Sequence, residues 1–326
     1  MRRFTPILAG IIFLLTPLWA GRSFPGLDAT VTAVSTTGGT ATFTATNSFT
    51  SGLTAYLQGF SGGCTSLNGT VVTVLPTGLT GSAFEATVSG TPSCSGQSAN
   101  ASANLVIANG MSTPLDISSG NETVSFWWYP TNVSTTQAAV AHYIFSTAGG
   151  QFAVGLGYGT GSANQFTWAV GCCGSVTGTS YGNCSATVTA NQWYQIVLWS
   201  VNGSQTGLIV NGGSFCNTFT AWDGANISAG GTNFTIGGQG NGLYPASGRI
   251  AEVAVWNNLP SGFRAALATM CPAGPSARRM GLPAPAGYFP LWGASGSTIE
   301  PDLSGNALNG TLGGPPSAAN HPPCTP

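Results

Sequence analysis

The chain has 326 residues, of which only 5% are charged and none is lysine, with 48 glycines and a formal net charge of −1. An apolar fraction of 42% with 10% aromatics offers enough surface to offset chain entropy, which excludes a disordered polymer. Outside the N-terminus only Arg278 and Arg279 are adjacent cations, too little to neutralise a phosphate backbone, so nucleic acid is excluded as a partner.

At the N-terminus, Arg2 and Arg3 precede an apolar stretch from Ile7 to Trp19 and a small residue, Ala20, at a plausible cut. This is the form of an export signal over residues 1–20. Its apolar run falls short of the roughly 20 residues that span a bilayer, and no later segment qualifies. A secreted or cell-surface protein is expected, with no membrane span once the signal is cleaved. Cleavage leaves five arginines against eight acids, near −3.

From about 24 to 108 the chain shows short alternating runs, "TVTAV", "TATFTAT", "LTAYLQ", "TVVTVL", "AFEATV" and "ANLVI", separated by Gly-rich turns. In "TATFTAT", Ala41, Phe43 and Ala45 share one face and the threonines take the other. Runs of this length describe a small β-sandwich or barrel. The segment "SLNGTVVTVLPTGLTGSAFEATVSG" resembles the Ig-like β-modules of bacterial surface proteins and phage tail proteins. Residues 96–110, "GQSANASANLVIANG", end this module.

From 111 to 326 the strands become aromatic. The ordered set "ETVSFWWYPTN", "NQWYQIVLWSVNGSQTGLIVNG", "FTIGG", "GRIAEVAVWNNLP" and "DLSGNALNGTL" resembles the concanavalin A-like, laminin-G-like jelly roll of bacterial exported proteins. The resemblance implies two antiparallel sheets packed face to face. The residues agree by themselves: "IVLWSV" is apolar on both faces, as in a layer covered on each side, and "GLIVNGG" ends at an Asn-Gly that favours a tight hairpin. One helix is expected at 261–270, "SGFRAALATM", capped by Ser261. The expected fold is therefore all-β, a small sandwich or barrel followed by a jelly-roll sandwich.

Eight cysteines in an exported chain read as a disulfide framework. Cys64 and Cys94 are expected to bond, closing a loop of about 30 residues worth roughly 3 kcal/mol. Cys172 and Cys173, adjacent on a strand, point opposite ways and need different partners. Cys271 is paired with Cys324, which leaves Cys184 and Cys216 for the adjacent two. No C-x-x-C spacing supports zinc.

Glu252, in "GRIAEVAVWN", poses the question of catalysis. Strict alternation puts Ile250, Glu252, Ala254 and Trp256 on one face and Ala251, Val253 and Val255 on the other. A retaining glycosidase needs two carboxylates about 5 to 5.5 Å apart. Glycosidases of the resembled superfamily supply them at alternate positions of one strand, where this chain has Ile250, Ala254 and Trp256. A polysaccharide-acting hydrolase is thus disfavoured, and no G-x-S-x-G elbow offers another route. The expected function is non-catalytic recognition of a glycan or a surface protein, with a purely structural surface component as the alternative.

Glycan stacking would fall to aromatics in or near Gly-rich segments, Tyr158, Trp168, Tyr181, Trp222 and Tyr244, whereas Trp128, Trp199 and Trp256 belong to the core. No cofactor is expected except calcium, which some laminin-G-like domains bind through carboxylates and carbonyls. Its candidates are Asp116, Asp223, Glu300 and Asp302, with Asn306 nearby, although "DLSGN" equally forms an Asx turn.

Overall fold

The computed structural model describes residues 20–25, 27–103, 105–107, 113–115, 121–142, 152–157, 163–170, 180–184, 187–201, 205–213, 216–221, 233–238, 244–259, 282–291, 298–313 and 318–320. The expected helix at 261–270 and nearly all of the expected export signal lie outside them. The described residues are almost wholly β, in three antiparallel sheets. No helix among them is long and apolar enough to cross a membrane.

Strand β1 (Ala20–Pro25) is followed by six strands that form one sheet: β2 (Asp28–Thr37), β3 (Thr40–Thr46), β4 (Thr54–Gln58), β5 (Val71–Thr73), β6 (Ala83–Thr87) and β7 (Ala99–Ser102). Their order is β5-β4-β7-β2-β3-β6, and the two ends meet where Val74 bridges Ala86 and the Leu75 N–H donates to the Glu85 carbonyl at 2.8 Å. The sheet closes on itself, which removes exposed edges. This is the barrel form of the expected module, one sheet rather than the facing pair of an Ig-like module. Alternation along β3 buries Ala41, Phe43 and Ala45, and Phe43 stacks on Phe84 at 4.7 Å in the interior. Cys64, in a 3-10 turn over Gly62–Leu67, is bonded to Cys94, whose backbone bridges Val34 of β2.

The remaining strands build a two-sheet sandwich. They are β8 (Leu105–Ile107), β9 (Glu122–Pro130), β10 (Gln137–His142), β11 (Phe152–Leu156), β12 (Phe166–Val170), β13 (Ser180–Asn183), β14 (Tyr194–Val201) and β15 (Gln205–Val210). After them come β16 (Cys216–Ala221), β17 (Phe234–Ile236), β18 (Ser247–Trp256), β19 (Gly287–Phe289), β20 (Ile299–Glu300), β21 (Gly310–Leu312) and β22 (Ala318–Asn320). One sheet runs β16-β15-β14-β9-β18-β1-β22, with β19 also beside β18; the other runs β13-β12-β11-β10-β17-β8-β21-β20. Between them lies a core of Phe126, Trp128, Phe152, Phe166, Trp168, Phe234 and Phe289, all fully buried. The first sheet is also covered on its outer face, where Trp199, Trp256, Ile209 and Tyr288 pack together, as "IVLWSV" requires. Asn211 and Gly212, at φ 50° and 71°, make the expected turn from β15 to β16.

Two strands fall across the expected division of the chain. The run "ANLVI" joins the sandwich through Leu105–Ile107, whereas Ala99–Ser102 just before it pairs within the barrel, and β1, ahead of the barrel, pairs with β18 and β22. By pairing, the barrel is inserted between two strands of the jelly roll.

Strict alternation fails in β18. Ile250 pairs with Trp128 and faces the core; Ala251 pairs with Trp127 on the outer face; the register then shifts before Ala254 meets Ser125. Glu252 is in this bulge at φ 56°, so Val253 and Val255 return to the core while Ala254 and Trp256 face outward. Ile250 therefore does not share a face with Ala254 and Trp256, because the extra residue resets the two-residue period.

Candidate functional site

A polar cleft forms where β9 ends and β10 and β18 begin, close to the first residue of β2. β9 stops at Pro130, and the loop 131–136 leads into β10. This loop is fastened to the start of β18: the Thr131 and Ser247 hydroxyls are 2.6 Å apart, the Thr131 N–H donates to the Ser247 carbonyl at 3.2 Å, and the Ser247 N–H donates to Gln137 Oε1 at 2.7 Å. Gln137, itself buried, also donates through Nε2 to the Asn132 carbonyl at 2.7 Å. Asn132 Oδ1 accepts from the Ser134 N–H at 2.8 Å, an Asx turn that holds the loop tip. Gly248 makes the close approach possible. At φ 123°, a Cβ there would stand 2.0 Å from the Tyr129 carbonyl oxygen.

Tyr244 closes the cleft. Its carbonyl accepts from the Ala138 N–H at 2.7 Å, Pro245 bridges Ala138, and the residue takes a left-handed backbone at φ 52°. Its ring packs on the small side chains Ala138, Ala141, Ala153 and Ala169 of β10, β11 and β12 and remains half-buried. The cleft has a volume of about 370 Å³ and is lined by Asp28, Asn132, Thr135, Thr136, Tyr244, Pro245 and Ser247. One ring face, four hydroxyl or amide groups and one carboxylate are the complement of a sugar, with an apolar face and a rim of hydroxyls. Asp28 is half-buried; burial raises its carboxyl above the ordinary aspartate range, countered in part by a hydrogen bond from Asn100.

Of the aromatics singled out in the sequence, Tyr244 alone is described at a cleft. Trp168 is fully buried in the sandwich core and cannot offer its ring to a ligand, because on β12 it alternates inward with Phe166. Tyr181 stands opposite Ala169 on β13. Tyr158 and Trp222 lie outside the described residues. Trp128, Trp199 and Trp256 are buried as expected.

The calcium candidates separate in the same way. Asp302 is saturated by donors: Oδ1 accepts from the Tyr288 and Ser304 N–H groups, both at 2.9 Å, and Oδ2 from the Ser304 hydroxyl at 2.7 Å and the Leu308 N–H at 3.0 Å. Four donors aimed at one carboxylate complete its shell and would repel a cation, so "DLSGN" is the Asx turn. Glu300 is fully buried, and Asp116 and Asp223 lie outside the described residues. Among the described residues no three His, Cys, Asp or Glu side chains come together as a metal group. Cys184 is disulfide-bonded, and Cys172, Cys173, Cys271 and Cys324 lie outside the described residues, as does the side chain of Cys216.

Glu252 is buried, 3% exposed, and the Tyr288 hydroxyl donates to its carboxylate on the outer face of the sheet. Burial first, then the Glu252 charge and this hydrogen bond, push the Tyr288 phenol far above its ordinary value. The Glu252 carboxylate is thus engaged by a buried phenol within the packed outer face of the sheet.

Asp28, Asn132, Thr135, Thr136 and Ser247 carry no local sign of a shared cleft in the sequence. The one available signal was "YPTNVSTTQ", a polar loop directly after an aromatic strand.

Residues 100–262, half of the chain, match the family described as the concanavalin A-like lectin/glucanases superfamily, laminin G type. No curated protein matches the chain. Among solved structures, a candidate carbohydrate-binding protein of Bacteroides ovatus is 14% identical, with 88% of this chain and 94% of that one covered and a TM-score of 0.47. The heptameric SAP-like pentraxin of Limulus polyphemus is 18% identical over 51% of this chain and 71% of its own, with a TM-score of 0.33. The CBM40 of the Ruminococcus gnavus IT-sialidase, bound to α2,3-sialyllactose, is 15% identical over 51% and 92%, with a TM-score of 0.38.

Proposed function

Because the chain belongs to the concanavalin A-like lectin/glucanase superfamily, we propose that it is an exported, non-catalytic binding protein that takes a glycan in the Tyr244 cleft. The observation that carries this reading is the cleft itself, about 370 Å³ with one aromatic ring among hydroxyl, amide and carboxylate groups. Fold alone would be a weak warrant, since this superfamily hosts both lectins and hydrolases. Against hydrolysis stands Glu252, buried under Tyr288 instead of facing a second carboxylate across a groove. Export is supported by the Cys64–Cys94 bond, which belongs to oxidising compartments, and by the form of residues 1–20.

The test is a glycan array followed by titration of the best ligand. Tyr244→Ala removes the ring and is expected to weaken binding by about tenfold or more, equivalent to about 1.4 kcal/mol. Binding that is indifferent to Tyr244→Ala, or an array with no ligand, refutes the assignment. An array without ligands, for a chain that still assembles on cell envelopes, favours a structural surface component.

A further inference from the structure

The Tyr244 cleft does not end at Asp28. The same residue borders a second depression, of about 420 Å³, on the outer surface of the barrel. Its floor is formed by Thr30, Thr32, Thr44 and Thr46 and its wall by Ser82. The threonines come together because β2 and β3 are paired there, Thr30 opposite Thr46, and because a register shift between Val31 and Ala33 leaves Thr32 as an extra outward residue. Thr32 gives its hydroxyl to the Thr44 carbonyl at 3.2 Å. The hydroxyls of Thr30, Thr44 and Thr46 make no hydrogen bond within the protein among the described residues, and all three residues are exposed. These are donors and acceptors that the fold does not use.

Both depressions share one charged group, Asp28, and among the described residues neither is lined by a cation. Arg249, at the neighbouring end of β18, is turned over the Tyr129 ring at 5.0 Å. A sulfate, uronate or sialate placed in the groove would meet the Asp28 carboxylate with no compensating cation. Sugar hydroxyls, by contrast, can donate to it. The barrel-side floor is also long: from Asp28 to Thr32 the strand advances about 13 Å, more than one pyranose ring needs. Resting on the glycan reading of the Tyr244 cleft, we infer that the two depressions form one groove that binds an extended, uncharged oligosaccharide chain, with Tyr244 at one end, Asp28 at the centre and the barrel threonines at the other. The barrel inserted in the jelly roll thus supplies half of the binding surface.

The experiment is a calorimetric length series on the full chain. Neutral cello-, xylo-, manno- and malto-oligosaccharides, from disaccharide to hexasaccharide, are titrated beside sulfated and sialylated glycans. Affinity is expected to rise by about tenfold or more between the disaccharide and the hexasaccharide of one neutral series, with the acidic glycans weaker. Thr44→Trp fills the barrel-side depression from an exposed position, and Ser82→Trp does so from its wall; each should bring the hexasaccharide-to-disaccharide ratio close to one, with the denaturation midpoint recording that the fold is kept. Tyr244→Ala should weaken every length. A flat series, a ratio that survives both tryptophans, or a preference for acidic glycans overturns the extended groove while leaving the Tyr244 cleft in place. No binding at any length overturns the cleft as well.

Discussion

Whether Glu252 is structural can be decided by taking away the Tyr288 hydroxyl. Both partners are buried, Glu252 at 3% and Tyr288 at 5% exposure, and the phenol donates to the carboxylate. Since the Tyr288 phenol is held far above its ordinary value, it is a donor at neutral pH. Hydrogen bonds to charged groups contribute about 1.5 to 3 kcal/mol. Tyr288→Phe should therefore destabilise the protein by about 2 to 3 kcal/mol. Glu252→Gln keeps an acceptor oxygen for the phenol and should cost less, about 1 kcal/mol. In the double-mutant cycle the coupling energy should fall near 1 to 2 kcal/mol, within the range for residues in direct contact. The assay is urea unfolding at neutral pH, read as a change of midpoint at constant slope. If Tyr288→Phe stays within about 0.5 kcal/mol of the parent, as a surface change would, or the coupling vanishes, the pair does not hold the bulge. Polysaccharide turnover abolished by Glu252→Gln would refute the reasoning from the other side.

Three further outcomes follow from the same geometry. Opening the Cys64–Cys94 bond, which spans 30 residues, with Cys64→Ala and Cys94→Ala together should cost about 3 to 4 kcal/mol on the chain-entropy account; an unchanged denaturation midpoint would refute that. Glu122 is fully buried, and burial raises its carboxyl well above the ordinary glutamate value of 4.5, countered in part by a hydrogen bond from the Ser200 hydroxyl. A raised acid favours the folded state below its unfolded value, and that contribution is lost as pH climbs through the folded one; stability should decline above about pH 4.5, the ordinary value, and Glu122→Gln should flatten the decline. Parallel profiles for the two proteins would contradict this. Trp168→Ala, which empties a fully buried site, should cost about 3 to 5 kcal/mol, and glycan affinity per folded molecule should not change; a stable variant with lost binding would put Trp168 back at the ligand.

What the sequence makes legible is whatever depends on the next few residues. The period of two in "TATFTAT" buries Ala41, Phe43 and Ala45, and Asn211–Gly212 supplies the left-handed pair its turn requires. Cys64 and Cys94 find each other because few cysteines are near enough to compete. Insertion of the barrel between β1 and β8 is not legible, since strand pairing across some two hundred residues leaves no mark on either strand. Nor is the groove: Asp28 is one acid among eight, and its meaning comes from Tyr244 and Thr46, which pattern alone does not bring beside it.

The bulges show why. In β18 an extra residue separates Ala251 from Ala254, and in β2 another separates Val31 from Ala33. A strand's period is a local rule, but a bulge is settled by the partner strand, so face assignments counted across it are inverted until the register is known. At Thr32 the result is an outward hydroxyl added to the floor of the groove. At Glu252 the result is a carboxylate carried on a left-handed backbone, a conformation that costs a non-glycine residue of order 1 to 3 kcal/mol and persists only where its surroundings determine it. Tyr288 and the packed outer face supply that determination. The acid that poses the question of catalysis is thus the residue that lets β18 turn Ile250 and Val253 into the same core.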